Sequence, residues 1–202
     1  MTADALNVQL NLKPLDLMKG EHLTPEFIKI NPQHTIPTLV DNEFSIWESR
    51  AICIYLVEKF GKIDDPLYAK DPKTKAVINQ RLYFDMGTLF KQFYEYYFAS
   101  FYGREQKSED LQKLKDSVEL LNTFLETSSF VAGTQTLSVA DLAIYASIST
   151  FEVFGFDFTP YPRVGKWLTM MNETAPGREK NADGLKSMKE ALKAFSESKA
   201  SN

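Results

Sequence analysis

The chain has one cysteine, Cys53, and two histidines, His22 and His34. A lone cysteine excludes an intramolecular disulfide and any Cys-x-x-Cys motif, which fits a reducing compartment. One cysteine and two histidines fall short of a structural zinc set, so no metal is expected. Glycine and proline are sparse, nine of each in 202 residues, which favours a helix-rich fold over one built of many tight turns. No apolar run reaches membrane-spanning length. Residues 1–10 carry neither a basic start nor an apolar stretch, so no secretory signal is expected. The net charge is a modest −4 with no basic stripe, which argues against nucleic acid or an anionic membrane as a partner.

What is present is an ordinary globular composition, 44% apolar and 25% charged. Disorder needs lower hydrophobicity and higher net charge, and this length can bury a real core. The chain changes character between residues 60 and 72. Before that point segments are short and alternate in type. Val8, Leu10 and Leu12 alternate with polar residues and predict a half-buried strand. Thr24-Pro25 opens a short helix. Residues 35–40 and 44–47 predict a hairpin. Ser49 is then expected to cap a helix whose Ile52, Leu56 and Phe60 share a face and which Gly61 ends. The linker falls on residues 61–72, with two prolines and mixed charges.

Long helical periodicity follows. One helix is expected over residues 74–102, apolar on two faces and therefore covered on more than one side. In the next helix Leu111, Leu114, Val118, Leu121 and Leu125 form a single apolar face. Ser138 to Asp141 opens a nearly all-apolar helix at the centre of the second half. Further helices are expected around residues 164–171 and 185–195, and the tail from Ser196 is expected to fray.

Two stretches carry chemistry. In Asn31-Pro32-Gln33-His34-Thr35-Ile36-Pro37, a proline at the mouth of a strand forfeits a ladder hydrogen bond. It is read either as a cis Ile36–Pro37 bond that turns the Ile36 backbone toward a bound peptide, or as a turn proline on an edge strand. In Trp47-Glu48-Ser49-Arg50-Ala51, a helix start offers amide donors, the Ser49 hydroxyl and the helix dipole to an anion, with Glu48 beside it for an ammonium group. That pair of features suits the two charged ends of an amino acid. Its plain alternative is an N-cap serine among solvated charges.

Taken in order with Asn79-Gln80-Arg81-Leu82-Tyr83-Phe84-Asp85, these stretches resemble the cytosolic glutathione transferases of the insect delta class, from Met1 to about Gly177. The resemblance implies an α+β fold. Residues 1–63 would form a thioredoxin-like glutathione-binding domain, incomplete because its first strand is missing, and residues 64–202 an all-α helical bundle. It implies a cytoplasmic homodimer that conjugates glutathione, its co-substrate, to small apolar electrophiles in detoxification. His34 is expected to meet the glycine carboxylate of glutathione, with His22 near the same end. The Ile36 main chain, between Thr35 and Pro37, is expected to pair with the cysteinyl unit. Glu48 and Ser49 are expected to hold the γ-glutamyl end, with Arg50 adding charge. Phe90, Phe93 and Phe98, members of a dense aromatic cluster whose other role is core packing, are expected to line the electrophile pocket. Cys53 is expected to be an inert core residue, and the Ser138–Asp141 pair a structural cap.

The likeness also carries an expectation about the thiol. In the delta class a loop after the first strand presents a serine hydroxyl to the glutathione sulfur, stabilising the thiolate. Residues 1–8 align instead with the latter part of the first helix, so no residue here takes the catalytic place. Impaired turnover is therefore expected. The alternatives are a non-catalytic protein that binds glutathione or apolar ligands, and a dimerising helical scaffold.

Overall fold

The computed structural model describes residues 1–200. It begins with a short helix, α1 (Thr2–Ala5), and an irregular segment. The strand expected over residues 8–12 does not form. A strand needs a neighbour to take its N–H and C=O groups, and among the described residues the one sheet holds two strands, paired with each other. The Val8 amide donates instead to the Ala3 carbonyl at 2.8 Å.

A 3₁₀ turn (Glu21–Leu23) leads to α2 (Pro25–Ile30), which Thr24 caps by accepting from the Phe27 amide, with Pro25 at the first helical position. Strands β1 (Thr38–Asp41) and β2 (Phe44–Trp47) pair antiparallel, Thr38 opposite Trp47 and Asp41 opposite Phe44. The expected hairpin forms, starting at Thr38 rather than at residue 35. At its turn Asn42 takes φ 56°, a left-handed conformation that asparagine accepts at low cost. Helix α3 (Ser49–Phe60) follows and ends at Gly61. Its Ile52 and Leu56 are buried against Ala3 of α1, whereas Phe60 is exposed.

Beyond residue 61 the described chain is helical. The single helix expected over residues 74–102 is divided into α4 (Pro72–Phe84), a π-helical turn (Asp85–Leu89), α5 (Phe90–Tyr97) and a 3₁₀ turn (Ala99–Tyr102). A π turn carries one extra residue per hydrogen-bonded ring, and here it coincides with Gly87, a poor helix former, and with the wholly buried Asp85. Periodicity reports apolar spacing and does not register a one-residue insertion.

Helix α6 (Ser108–Phe124) buries Leu114, Val118 and Leu121 as its spacing predicts. Helix α7 (Val139–Val153) is central, with Leu142, Ile144, Ile148 and Phe151 enclosed. At its start the buried Asp141 carboxylate accepts from the Ser138 amide at 2.9 Å, the Ser138 hydroxyl at 2.7 Å and the Val131 amide at 2.8 Å. These bonds satisfy donors that a buried helix end would otherwise leave orphaned.

Helices α8 (Pro162–Thr174) and α9 (Arg178–Ala200) complete the bundle. Asn181 of α9 donates to Ser149 of α7 at 3.0 Å, and Lys180 pairs with Asp4 of α1. Helix α9 continues past Ser196, where fraying was expected, and residues 201–202 lie outside the described residues. Among the described residues no helix is long and apolar enough to cross a membrane, and no three His, Cys, Asp or Glu side chains are grouped as a metal site.

Candidate functional site

The start of α3 departs from the expected cap. Glu48, not Ser49, is the N-cap, at φ 70° and ψ 106°. That conformation is uncommon for a residue with a Cβ, and such strain persists only where the surroundings enforce it. The Glu48 side chain makes no cap hydrogen bond, and the first intrahelical bond runs from the Ile52 amide to the Glu48 carbonyl at 2.9 Å. The amides of Ser49, Arg50 and Ala51 thus precede the intrahelical ladder, at the positive end of the helix dipole.

Side chains behind this turn form a chain across the two halves. Arg50 Nη1 donates to Ser49 Oγ at 2.9 Å, and Arg50 Nε donates to Asp85 Oδ2 at 2.9 Å. The other carboxylate oxygen of Asp85 accepts from the Ser147 hydroxyl at 2.7 Å. Burial pushes the Asp85 carboxyl upward, while Arg50 and Ser147 pull it down. Because Ser49 Oγ accepts from Arg50, its own proton remains available to donate outward. Arg50, expected to add charge at the γ-glutamyl end, directs its guanidinium to Asp85 and Ser49.

The histidine-bearing loop is tied together by Asn31, which the motif contained but to which sequence reasoning assigned no role. Wholly buried, Asn31 donates through Nδ2 to the Thr35 carbonyl at 2.9 Å and to Thr38 Oγ1 at 3.0 Å, and accepts from the Gln33 amide at 2.9 Å. A buried amide satisfied on both ends rigidifies the loop. The available signal was an asparagine just after a short helix, a residue suited to bonding nearby backbone. The Ile36–Pro37 bond is cis and Ile36 is exposed. His34 is exposed at φ 46°, and its ring centroid lies 6.3 Å from that of His22. Trp47 Nε1 donates to Gln33 Oε1 at 2.8 Å, joining this loop to β2.

A cavity of about 400 Å³ opens between α1, α3, α5 and α7. Pro37, Ser49, Arg50, Cys53 and Phe90 all line it. His22, His34, Thr35, Ile36 and Glu48 are not in its wall. Four hydroxyls border the cavity, and three donate to protein atoms: Thr2 to Cys53 Sγ at 3.2 Å, Ser147 to Asp85, and Thr150 to the Ala146 carbonyl at 2.8 Å. Ser49 is the fourth.

Cys53 packs against the core and also faces the cavity, and burial pushes its thiol up. The aromatic residues divide. Phe93 is wholly buried and stacked on Phe151 at 4.2 Å. Phe98 is half-buried, stacked between Tyr94 and Phe101.

Comparisons with known proteins bear on this geometry. The family model of the glutathione S-transferase N-terminal domain matches residues 1–58, and that of the C-terminal domain matches residues 83–175. A solved delta-class glutathione transferase from Nilaparvata lugens is 49% identical, with a TM-score of 0.91 over 96% of this chain and 91% of that one. A Bombyx mori glutathione transferase is 41% identical, with a TM-score of 0.87 over 94% of this chain and 88% of the other. An Anopheles dirus glutathione S-transferase is 35% identical, with a TM-score of 0.86 over 96% and 91%.

Proposed function

The chain belongs to the glutathione transferase family, and from that premise we propose that its cavity joins a glutathione site to a site for small apolar electrophiles. One observation carries this reading. Ser49 and Pro37, from the motifs for glutathione, and Phe90, from the aromatic set for the electrophile, line the same cavity. Ser49 donates its free hydroxyl proton to the γ-glutamyl carboxylate beside the α3 amides, and Glu48 takes the ammonium group. The Ile36 main chain, flanked by Thr35 and Pro37, pairs with the cysteinyl unit. His34 and His22 face the glycine carboxylate, and Arg50 holds Ser49 in position. The sulfur then points into the cavity, toward Phe90. Thiolate attack on an electrophilic carbon forms the C–S bond and expels the leaving group, and the thiol proton passes to water.

In this 202-residue chain the other cavity hydroxyls donate to protein atoms, which supports slow turnover by positioning more than by thiol activation. The same observation favours the second reading, a non-catalytic glutathione or apolar-ligand binder. We also propose residues 1–63 and 64–202 as the two domains, and a second copy of this chain over Tyr83 and Met86, which are 70% and 44% exposed.

Three measurements test these readings. Calorimetric titration with glutathione is expected to show one site per chain; absence of heat sinks the glutathione site. A conjugation assay with a chlorodinitrobenzene is expected to run above the uncatalysed rate. Binding without turnover selects the second reading. Sedimentation is expected to give a dimer that Tyr83→Asp shifts to monomer, and a wild-type monomer overturns the assembly.

A further inference from the structure

A second cavity, of about 450 Å³, lies where the two halves of the chain meet. It shares no residue with the first. Ligand sites commonly have this size and this place at a domain junction. One wall comes from before the linker: Leu6 and Asn7 after α1, Phe60 at the end of α3, and Lys62. The facing wall includes Leu67, in a 3₁₀ turn (Pro66–Tyr68), and Thr136 and Leu137 ahead of α7. Leu67 belongs to the bundle core, and Leu6 and Leu137 pack against it, so the floor is apolar and fixed. Phe60 is 44% exposed, which leaves ring surface to cover. The polar groups are unevenly engaged. The Asp65 carboxylate already accepts from the Lys62 amide at 3.2 Å and the Leu67 amide at 3.0 Å. Among the described residues the Lys62 ammonium has no ion-pair partner, and the Asn7 side-chain amide and the Thr136 hydroxyl donate to no protein atom.

We propose that this junction cavity binds a small aromatic carboxylate. Its ring lies between Phe60 and the floor formed by Leu6 and Leu137, and its carboxylate meets the Lys62 ammonium, with Asn7 and Thr136 as further donors. Charge decides for an anion. Among the described residues of the wall Asp65 is the one acid and Lys62 the one base, and the acid is spent on two backbone amides while the base is free. A flat ring is chosen because Phe60 offers an aromatic surface to stack or meet edge-on. Nothing reacts at this site, and the proposal does not rest on the glutathione reading of the first cavity.

The experiment measures calorimetric affinities of the full chain for cinnamate and for cinnamamide, its neutral isostere, with no glutathione present. Lys62→Gln is expected to weaken cinnamate about 2- to 5-fold, the range of an exposed ion pair, and to leave cinnamamide unchanged. Lys62→Arg keeps the charge and is expected to retain the affinity for both. Phe60→Ser is expected to weaken acid and amide alike, about 2- to 10-fold, as loss of an aromatic contact allows. Both positions are exposed, and each variant is expected to keep the wild-type unfolding midpoint. Absence of cinnamate binding overturns the proposal. So does a Lys62→Gln variant that loses nothing, or loses acid and amide equally, and so does full affinity in Phe60→Ser.

Discussion

Arg50 and Asp85 are joined at 2.9 Å through Nε and Oδ2, with the carboxylate wholly buried and the guanidinium partly exposed. Thirty-five positions apart in sequence, they bind the first turn of α3 to the π-helical turn, and Ser147 adds α7 to the same carboxylate. A buried ion pair of this kind adds little net stability over an apolar pair but is costly to break on one side. Asp85→Ala is therefore expected to destabilise the chain by about 3–5 kcal/mol, because Arg50 and Ser147 both lose their acceptor. Urea unfolding checks this, and a loss under 1 kcal/mol would show that Arg50 finds water instead.

Ser49→Ala separates ligand binding from folding. Because Glu48 is the cap, losing the Ser49 hydroxyl leaves the helix start intact. A hydrogen bond to a charged carboxylate contributes about 1.5–3 kcal/mol, so glutathione affinity is expected to fall about 10- to 100-fold. The unfolding midpoint is expected to move little, because the partly exposed Arg50 that loses this acceptor keeps Asp85 and turns Nη1 to water. Equal affinity in the variant removes Ser49 from the site.

Phe90 and Phe93 are expected to part company. Phe93→Ala empties a fully enclosed position and is expected to cost about 3–5 kcal/mol in unfolding. Phe90→Ala, in the cavity wall, is expected to cost less stability and to weaken S-hexylglutathione binding more than S-methylglutathione binding. Paired unfolding and calorimetry distinguish the two, and matching profiles would place both rings in the same environment.

Cys53 is expected to react slowly with iodoacetamide at neutral pH. The thiolate is the reactive form, and burial raises the Cys53 thiol above its ordinary value. Its labelling rate should therefore keep climbing with pH beyond the range where an exposed cysteine levels off. A rate that levels off with that of free cysteine would contradict a buried thiol. Thr2→Val removes the hydroxyl that donates to the sulfur and is expected to raise the thiol further.

Local signals were read reliably where one segment contained its own explanation. Thr24 and Pro25 opened α2, Ser138 and Asp141 joined at the start of α7, and Leu114, Val118 and Leu121 of α6 turned inward. The Asn31–Asp41 and Trp47–Ala51 motifs likewise pointed to the correct family. Elsewhere the outcome depended on partners distant in sequence. Residues 8–12 alternate as a strand does, yet alternation describes one face and cannot supply the neighbour that a ladder requires. The 74–102 periodicity contained no sign of the π turn, whose buried Asp85 is answered by Arg50 and Ser147 from other helices.

Sequence by itself determined the helix-rich class, the family and the two motifs, because capping, apolar spacing and motif order are properties of neighbouring residues. Tertiary structure decided which of those residues act together. It set Glu48 rather than Ser49 as the cap, left the Ser49 proton free by pointing Arg50 at it, and sent Phe93 to the core while Phe90 faced the cavity. It also stacked Phe195 under Phe101, 94 positions away in the chain. The physical reason is the same throughout: hydrogen-bond satisfaction and ring packing are settled by what lies across the gap, and only the folded chain brings the two sides together.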